Sequence, residues 1–360
     1  MSDKAQEKQV PNPGVGADIG TANIVISREM PDGSFQIRHH RNMLYRLEIS
    51  EEADDLLKRS GYLYVKTDRH FYIVGNDALT VANAIGRGEI MRPMQNGMLN
   101  PTLQGAKNLL FHIIKLVVGD PIVKDEALRF SLPANPVDAS ENINNQFHER
   151  VLRSFFSSMG YSPQPINEAM ANIFKQRPVM EVDGEGKKEL SGYSISFGGG
   201  MANSCVALEG YPVAQFSNVK CGDWIDAQAA QVTGEPLGIV MKVKETKLDL
   251  AKPEAEYDSE MEFALSTYYD EMIARVLRNV SKELLKEKRH FPGALDMVVC
   301  GGSALIPGFV DRLKRIAEKA DLPFKVREIR LAKDPFFSVS EGACLAARSD
   351  MAKRKKEEGK

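Results

Sequence analysis

Long hydrophobic runs are missing from this 360-residue chain: nowhere do eighteen apolar residues follow one another, which excludes a membrane-spanning helix. The first residues, MSDKAQEKQVPNPG, have no apolar core of the signal-peptide kind, so residence in the cytoplasm is expected. An excess of either charge is also absent. With 47 Lys and Arg against 49 Asp and Glu the formal net charge is -2, and neither nucleic acid nor an anionic membrane is expected as the principal partner. Cysteine is scarce, and Cys205, Cys221, Cys300 and Cys344 show no CxxC pair and no histidine at ligand spacing. They read as small buried apolar side chains in a reducing compartment. Internal repeats and low-complexity segments are absent too.

What is present is an ordinary globular composition, 43% hydrophobic and 27% charged, in a chain long enough for two cores. Strand and helix patterns alternate, which points to a layered α/β architecture. GVGADIGTANIVIS reads as two strands around a glycine turn. In PTLQGAKNLLFHIIKLVVG, Leu103, Ala106, Leu110, Ile113 and Val117 recur at helical spacing until Gly119 stops the helix. His112 within it reads as a packing or surface residue. EALRFSLPANPVDASENINNQFHERVLRSFFSSMG reads as strand, loop and helix, and VMEVDGEGKKELSGYS as a surface turn. A long amphipathic helix follows Asp258 or Ser259, either of which can cap it.

Three glycine turns each follow an apolar strand directly: ADIGTAN, SFGGGMAN and VVCGGSALIPGF. One such turn alone is commonly just a tight connection. Gly14, Gly16 and Gly20 also miss the G-x-G-x-x-G spacing, and strand rather than helix follows them, which argues against a dinucleotide-binding dehydrogenase. The combination says more: two glycine hairpins in separate halves can grip phosphates from both sides, and a late glycine turn before a helix can receive a nucleoside.

On these motifs the chain resembles the actin, sugar kinase and DnaK superfamily, and within it is similar to bacterial actins of the MreB and MamK type. ADIGTAN resembles the first phosphate motif, SFGGGMAN the second and VVCGGSALIPGF the adenosine motif. RPMQNGML resembles the segment after the small subdomain, CGDWIDAQ the Gly-x-x-x-Asp turn, and VMKVKETKLDLA the adenosine-side helix. Order and spacing agree from about residue 14 to 347. The resemblance implies an α/β fold of the actin/DnaK type: two duplicated RNase H-like domains around a nucleotide cleft. It places a polar tail at 1–13, domain I at 14–160 with an insertion near 34–74, domain II at 161–347 with an insertion near 222–275, and a charged tail at 348–360.

The resemblance also implies ATP and Mg²⁺ as cofactors. Asp18 would orient water on the Mg²⁺ ion, and backbone N–H groups around Gly20, Thr21 and Asn23 would meet the β-phosphate. Gly198, Gly199 and Gly200 would admit the terminal phosphates, while Lys244 and Glu245 would lie beside ribose and adenine. Gly301, Gly302 and Ser303 would form the floor under the base. Glu168 matches the acidic position that polarises the attacking water; its other reading is an ordinary first-turn carboxylate. The chain departs from the family pattern at Ser196, where Asp is usual, and at Met201 and Ala202, where hydroxyl residues are usual. Weakened hydrolysis is therefore expected, and Ser303 in place of a third glycine adds a Cβ near the base.

Three functions fit this reading. The first is a cytoplasmic, cytoskeletal protein that assembles into filaments under the control of ATP; its charged tails could bind further proteins. The second is a non-polymerising actin-like scaffold of the FtsA and PilM sort, and the third a small-molecule kinase. The kinase lacks a visible carboxylate beside the second hairpin. A polar amino terminus makes direct membrane insertion unexpected.

Overall fold

The computed structural model describes residues 10–85, 90–139, 145–286 and 290–358. Most of the expected amino-terminal tail and the last two residues of the expected carboxyl-terminal one lie outside the described residues.

Alternating apolar side chains form β1 (Val15–Ile19) and β2 (Asn23–Glu29), an antiparallel hairpin that β3 (Phe35–Arg41) extends to a meander. The chain then builds a separate antiparallel sheet from β4 (Leu44–Glu48), α1 (Glu51–Ser60), β5 (Tyr64–Lys66), β6 (His70–Val74), α2 (Asn76–Ile85) and β7 (Ile90–Met91). Met43, Tyr45, Leu57, Phe71 and Ile73 give it a core of its own. The insertion expected near 34–74 is thus displaced: β3 pairs with β2 along its whole length, so the small sheet begins after it and runs to Met91.

A ribbon of β8 (Met94–Gln95) and β9 (Met98–Leu99) leads back to α3 (Ala106–Val118), which buries Leu110, Ile113 and Val117 as the spacing predicts and ends at Gly119. Next come β10 (Ala127–Leu132), α4 (Gln146–Ser158) and β11 (Ser162–Asn167). Both strands join the first sheet in parallel, giving the order β11-β10-β1-β2-β3. The first sheet therefore extends past residue 160, the end expected for domain I from the resemblance, to Asn167.

After α5 (Glu168–Gln176) the expected surface turn is a hairpin of β12 (Val179–Val182) and β13 (Gly186–Glu189). A second meander follows: β14 (Gly192–Phe197), β15 (Ala202–Leu208) and β16 (Tyr211–Asn218). Helices α6 (Gly222–Thr233), α7 (Leu237–Thr246) and α8 (Glu260–Lys286) precede β17 (Ala294–Cys300), α9 (Phe309–Ala317), β18 (Val326–Leu331) and α10 (Ser338–Glu358). Ser259 caps α8 by accepting the Glu262 N–H. Strand β17 lies parallel to β14, and β18 parallel to β17. The second sheet thus contains the pattern of the first, a three-stranded meander with two parallel strands on one side, and adds the β12–β13 hairpin, whose β12 pairs antiparallel with the start of β17. The α6–α8 region, expected as an insertion, has no core of its own, because Ile225, Val240, Leu265 and Met272 pack in one cluster with Tyr193 and Phe197.

Helix α10 crosses between the halves. A Cβ on its Gly342 would stand 1.8 Å from the Ala171 carbonyl of α5, and a Cβ on Gly16 of β1 would stand 1.9 Å from the Ser340 carbonyl. Only glycine permits both approaches. Ser338 and Asn172 hydrogen-bond at the crossing, and Asn172 donates on to Ser194. The expected charged tail from 348 onward is instead the continuation of this helix to Glu358, because its polar side chains find partners on the first sheet. Arg129 donates twice to Asp350, and Arg354 donates to Ser162. Among the described residues no helix is long and apolar enough to cross a membrane.

His148 of α4 is buried, and among the described residues neither ring nitrogen has a partner. Burial pushes its pKa down to about 4 from an ordinary 6.5. The unfolded chain then binds the proton more readily than the folded one, so stability falls as pH drops from about 6.5 toward 4. Melting curves at pH 7 and pH 5 should show His148→Leu losing less than the native sequence on acidification. Equal losses would contradict the assignment.

Candidate functional site

In open sheets of this kind ligands bind beyond the carboxyl ends of the parallel strands. Here β1, β11, β14 and β17 all end on one cleft of about 430 Å³ between the halves. Each candidate residue from the sequence lines that cleft.

Two turns face each other across it. The Gly20 N–H donates to the Asn23 carbonyl at 2.9 Å, and the Gly198 N–H donates to the Met201 carbonyl at 2.9 Å, so the same bond closes the same turn in each half. Among the described residues nothing accepts from the N–H groups of Thr21, Ala22, Gly199 or Gly200. Such unpaired, oriented donors form an anion-binding concavity. The tips lie close: a Cβ on Gly200 would stand 2.3 Å from Thr21 Oγ1, and one on Gly199 3.0 Å from Ala22 Cβ. The Thr21 hydroxyl in turn accepts the Gly97 N–H at 2.9 Å, tying the first turn to the β8–β9 ribbon.

Below the turns lie two carboxylates. Asp18 stands at the end of β1, and Glu168 opens α5 behind the Asn167 side chain, which caps the helix. Ser196 Oγ donates to Glu168 Oε2 at 3.2 Å. Burial, reinforced by the nearby Asp18 charge, pushes the Glu168 carboxyl far above the usual carboxylate range, and burial raises Asp18 as well. Asp18 Oδ1 is enclosed and has no partner among the described residues. Both acids are half-buried at the cleft wall, and two neighbouring carboxylates with an enclosed, unpartnered oxygen are unfavourable without a counter-charge. A hydrated Mg²⁺ fits the pair, being a hard cation that takes oxygen ligands and retains several waters. Among the described residues no group of three or more acids, histidines or cysteines gathers.

The positions that depart from the family pattern are filled by packing. Met201 is buried, with its sulfur against Gly97, and Ala202 is wholly enclosed in β15. Ser303 lines the cleft, and its hydroxyl donates to the Gly198 carbonyl at 2.8 Å, bracing the β14–β15 hairpin.

On the opposite wall, Lys244 of α7 is held by the buried Asp226 at 2.6 Å. Glu245 receives both terminal nitrogens of Arg41, at 3.1 and 2.8 Å, from the other half of the molecule. A second ion pair also spans the cleft, Arg92 with Asp223 at 2.9 Å. Sequence reasoning missed Arg41, Arg92 and Asp223. Arg92 and Asp223 lie inside RPMQNGML and CGDWIDAQ, where glycine and proline drew the attention, and Arg41 lies in a strand with no motif. Partners 204 and 131 residues apart leave no local trace.

Two halves that share a strand pattern, with facing glycine hairpins over paired acids and a long crossing helix, make up an actin-like fold. The fold is similar to that of the MamK double helical filament, with a TM-score of 0.64 and 15% identity over 93% of this chain and 98% of that one. It is similar also to MreB5 of Spiroplasma citri bound to ADP, with a TM-score of 0.62 and 16% identity over 96% and 98% of the two chains. The ethanolamine utilization protein EutJ from Carboxydothermus hydrogenoformans follows at 0.53 and 13%, over 95% and 92%. Residues 14–347 match the profile of the Volactin family, and the chain belongs to that family. A search of curated protein sequences finds no match.

The glycines of the third turn separate folding from binding. Gly301 has φ of +94°, and its Cβ would meet the Phe197 carbonyl at 2.4 Å, whereas a Cβ on Gly302 has Phe336 at 3.9 Å as its nearest neighbour. Gly302→Val should therefore fold normally while losing at least tenfold in nucleotide affinity, with Gly302→Ala in between. Calorimetry showing native affinity in a folded Gly302→Val protein would contradict a nucleoside lying over this turn.

Proposed function

We propose that this protein binds Mg·ATP in its interdomain cleft and assembles into filaments in the cytoplasm, with slow hydrolysis. The observation that carries the reading is the pair of facing turns, whose unpaired N–H groups share one cleft with Asp18 and Glu168. Donors fixed in advance toward phosphate oxygens bind without reorganising. Asp18 would hold water of the Mg²⁺ shell, and Glu168 would orient the attacking water. The cation's charge favours the ionised form of both acids, which their burial alone disfavours. Lys244, Glu245 and the Gly301–Ser303 turn would receive ribose and base. The similarity to the MamK filament supports the assembly part.

Slow turnover follows from Ser196. Its hydroxyl is already donated to Glu168, and it adds no charge toward a metal shell, while Met201 and Ala202 offer no hydroxyl to a terminal phosphate. Loss of positioning groups slows phosphoryl transfer. A kinase is less well supported. The structure does bring a carboxylate, Asp223, beside the second hairpin, contrary to the sequence reading, but Arg92 holds it. A free base for an acceptor hydroxyl is what that chemistry needs.

Negative-stain electron microscopy of the purified protein should show filaments with Mg·ATP and few without nucleotide. Dispersed particles under both conditions would overturn assembly and favour the scaffold. Ser196→Asp should raise single-turnover phosphate release on the order of tenfold, roughly 1.4 kcal/mol of barrier, provided Glu168 is intact. Wild-type release insensitive to both Ser196→Asp and Glu168→Ala would contradict the assigned roles.

A further inference from the structure

Three lysine and arginine side chains line the cleft, and their hydrogen bonding differs. Lys244 is closed off by the buried Asp226 and the Gly222 carbonyl. Each of the three guanidinium nitrogens of Arg41 has an oxygen acceptor, Nε on Asn76 and both terminal nitrogens on Glu245. Arg92 differs. One terminal nitrogen donates to Asp223 Oδ1 at 2.9 Å, and the other has only the thioether of Met241 at 3.6 Å, a weak acceptor.

Its position matters as much as its spare donors. Asp223 Oδ1 would stand 3.2 Å from a Cβ on Gly199, and the Asp223 N–H donates to the Gly199 carbonyl at 2.7 Å. The Arg92 guanidinium is therefore one carboxylate away from the second phosphate hairpin. It reaches there from the segment between β7 and β8, in the other half of the molecule. A guanidinium binds phosphate through two parallel N–H bonds and favours a dianionic group over a single carboxylate oxygen. At this spot the chain has no Thr at 201 or 202 to meet a terminal phosphate.

We propose that Arg92 is the residue that distinguishes a nucleoside triphosphate from a diphosphate in this cleft. It exchanges Asp223 for the terminal phosphate when one is present, and so links the small-sheet half to the occupied second hairpin. The inference rests on the nucleotide reading above. It names a group that the glycine motifs do not contain, and it treats the Arg92–Asp223 pair as the resting state of the selector. With a diphosphate bound, nothing draws Arg92 away and the pair persists.

Calorimetric titration with Mg·AMPPNP and with Mg·ADP tests this directly. Arg92→Gln should weaken Mg·AMPPNP binding about tenfold and leave Mg·ADP within twofold of native. Asp223→Asn removes the competing acceptor and should tighten Mg·AMPPNP severalfold with Mg·ADP unchanged. A parallel loss for both nucleotides in Arg92→Gln would overturn the proposal, as would native Mg·AMPPNP affinity. Should Arg92→Gln fail to fold, Asp223→Asn decides alone: unchanged or weaker Mg·AMPPNP binding overturns the proposal. A native protein that binds neither nucleotide defeats the underlying reading instead, which is a different result from loss of discrimination.

Discussion

The contact on which the architecture depends is the crossing of α10 over α5 and β1, where the backbones touch through Gly342 and Gly16. Helix α5 begins with Glu168, and β1 ends beside Asp18. The crossing that joins the halves therefore also sets the two acids of the cleft floor against each other. Around it the core is built from small side chains, among them Ala169, Ala171, Ala343 and Cys300. Close-packed small residues leave no room to relax around an added methyl. A Cβ at either glycine would separate the halves at their base and displace Asp18 from Glu168.

From that base the halves rise with a shared strand pattern, and the cleft between them is bridged near its mouth by charge pairs rather than apolar contact. Arg41–Glu245 and Arg92–Asp223 remain partly exposed, with side-chain exposures of 20 to 41%. Pairs of this kind contribute only about 0.2 to 1 kcal/mol each. The base is held by buried packing and the mouth by weak, exchangeable bonds, an arrangement that suits a site whose contents change. The acids at the floor are the opposite case. They are half-buried, mutually repelling and incompletely bonded, so the cleft favours the arrival of positive charge.

Much of this was legible in the sequence. Period-two apolar runs ending in glycine mark β1–β2 and β14–β15, and every residue singled out on the three glycine turns except the enclosed Ala202 lies in the one cleft. The turns could be read because their backbone demands are local. The extent of the small sheet could not. β3 looks like any exposed strand, and only its pairing with β2 assigns it to the main sheet. The run after residue 348 looks like a solvated end because its charges conceal the helix, whose partners Arg129 and Ser162 lie some 190 to 220 residues away. The bond made by the Ser303 hydroxyl was hidden for a similar reason, since its acceptor, the Gly198 carbonyl, belongs to the other motif.

The central claim is that unpaired N–H groups on two facing turns and a pair of neighbouring acids make this cleft a site for a metal-bound nucleotide. Calorimetry of the native protein with AMPPNP, in excess Mg²⁺ and again in EDTA, tests it most directly. The account predicts saturable binding of one nucleotide per chain with Mg²⁺ and at least a tenfold loss without it, the loss being much reduced in Asp18→Asn. Absence of binding, or binding indifferent to Mg²⁺, would contradict it.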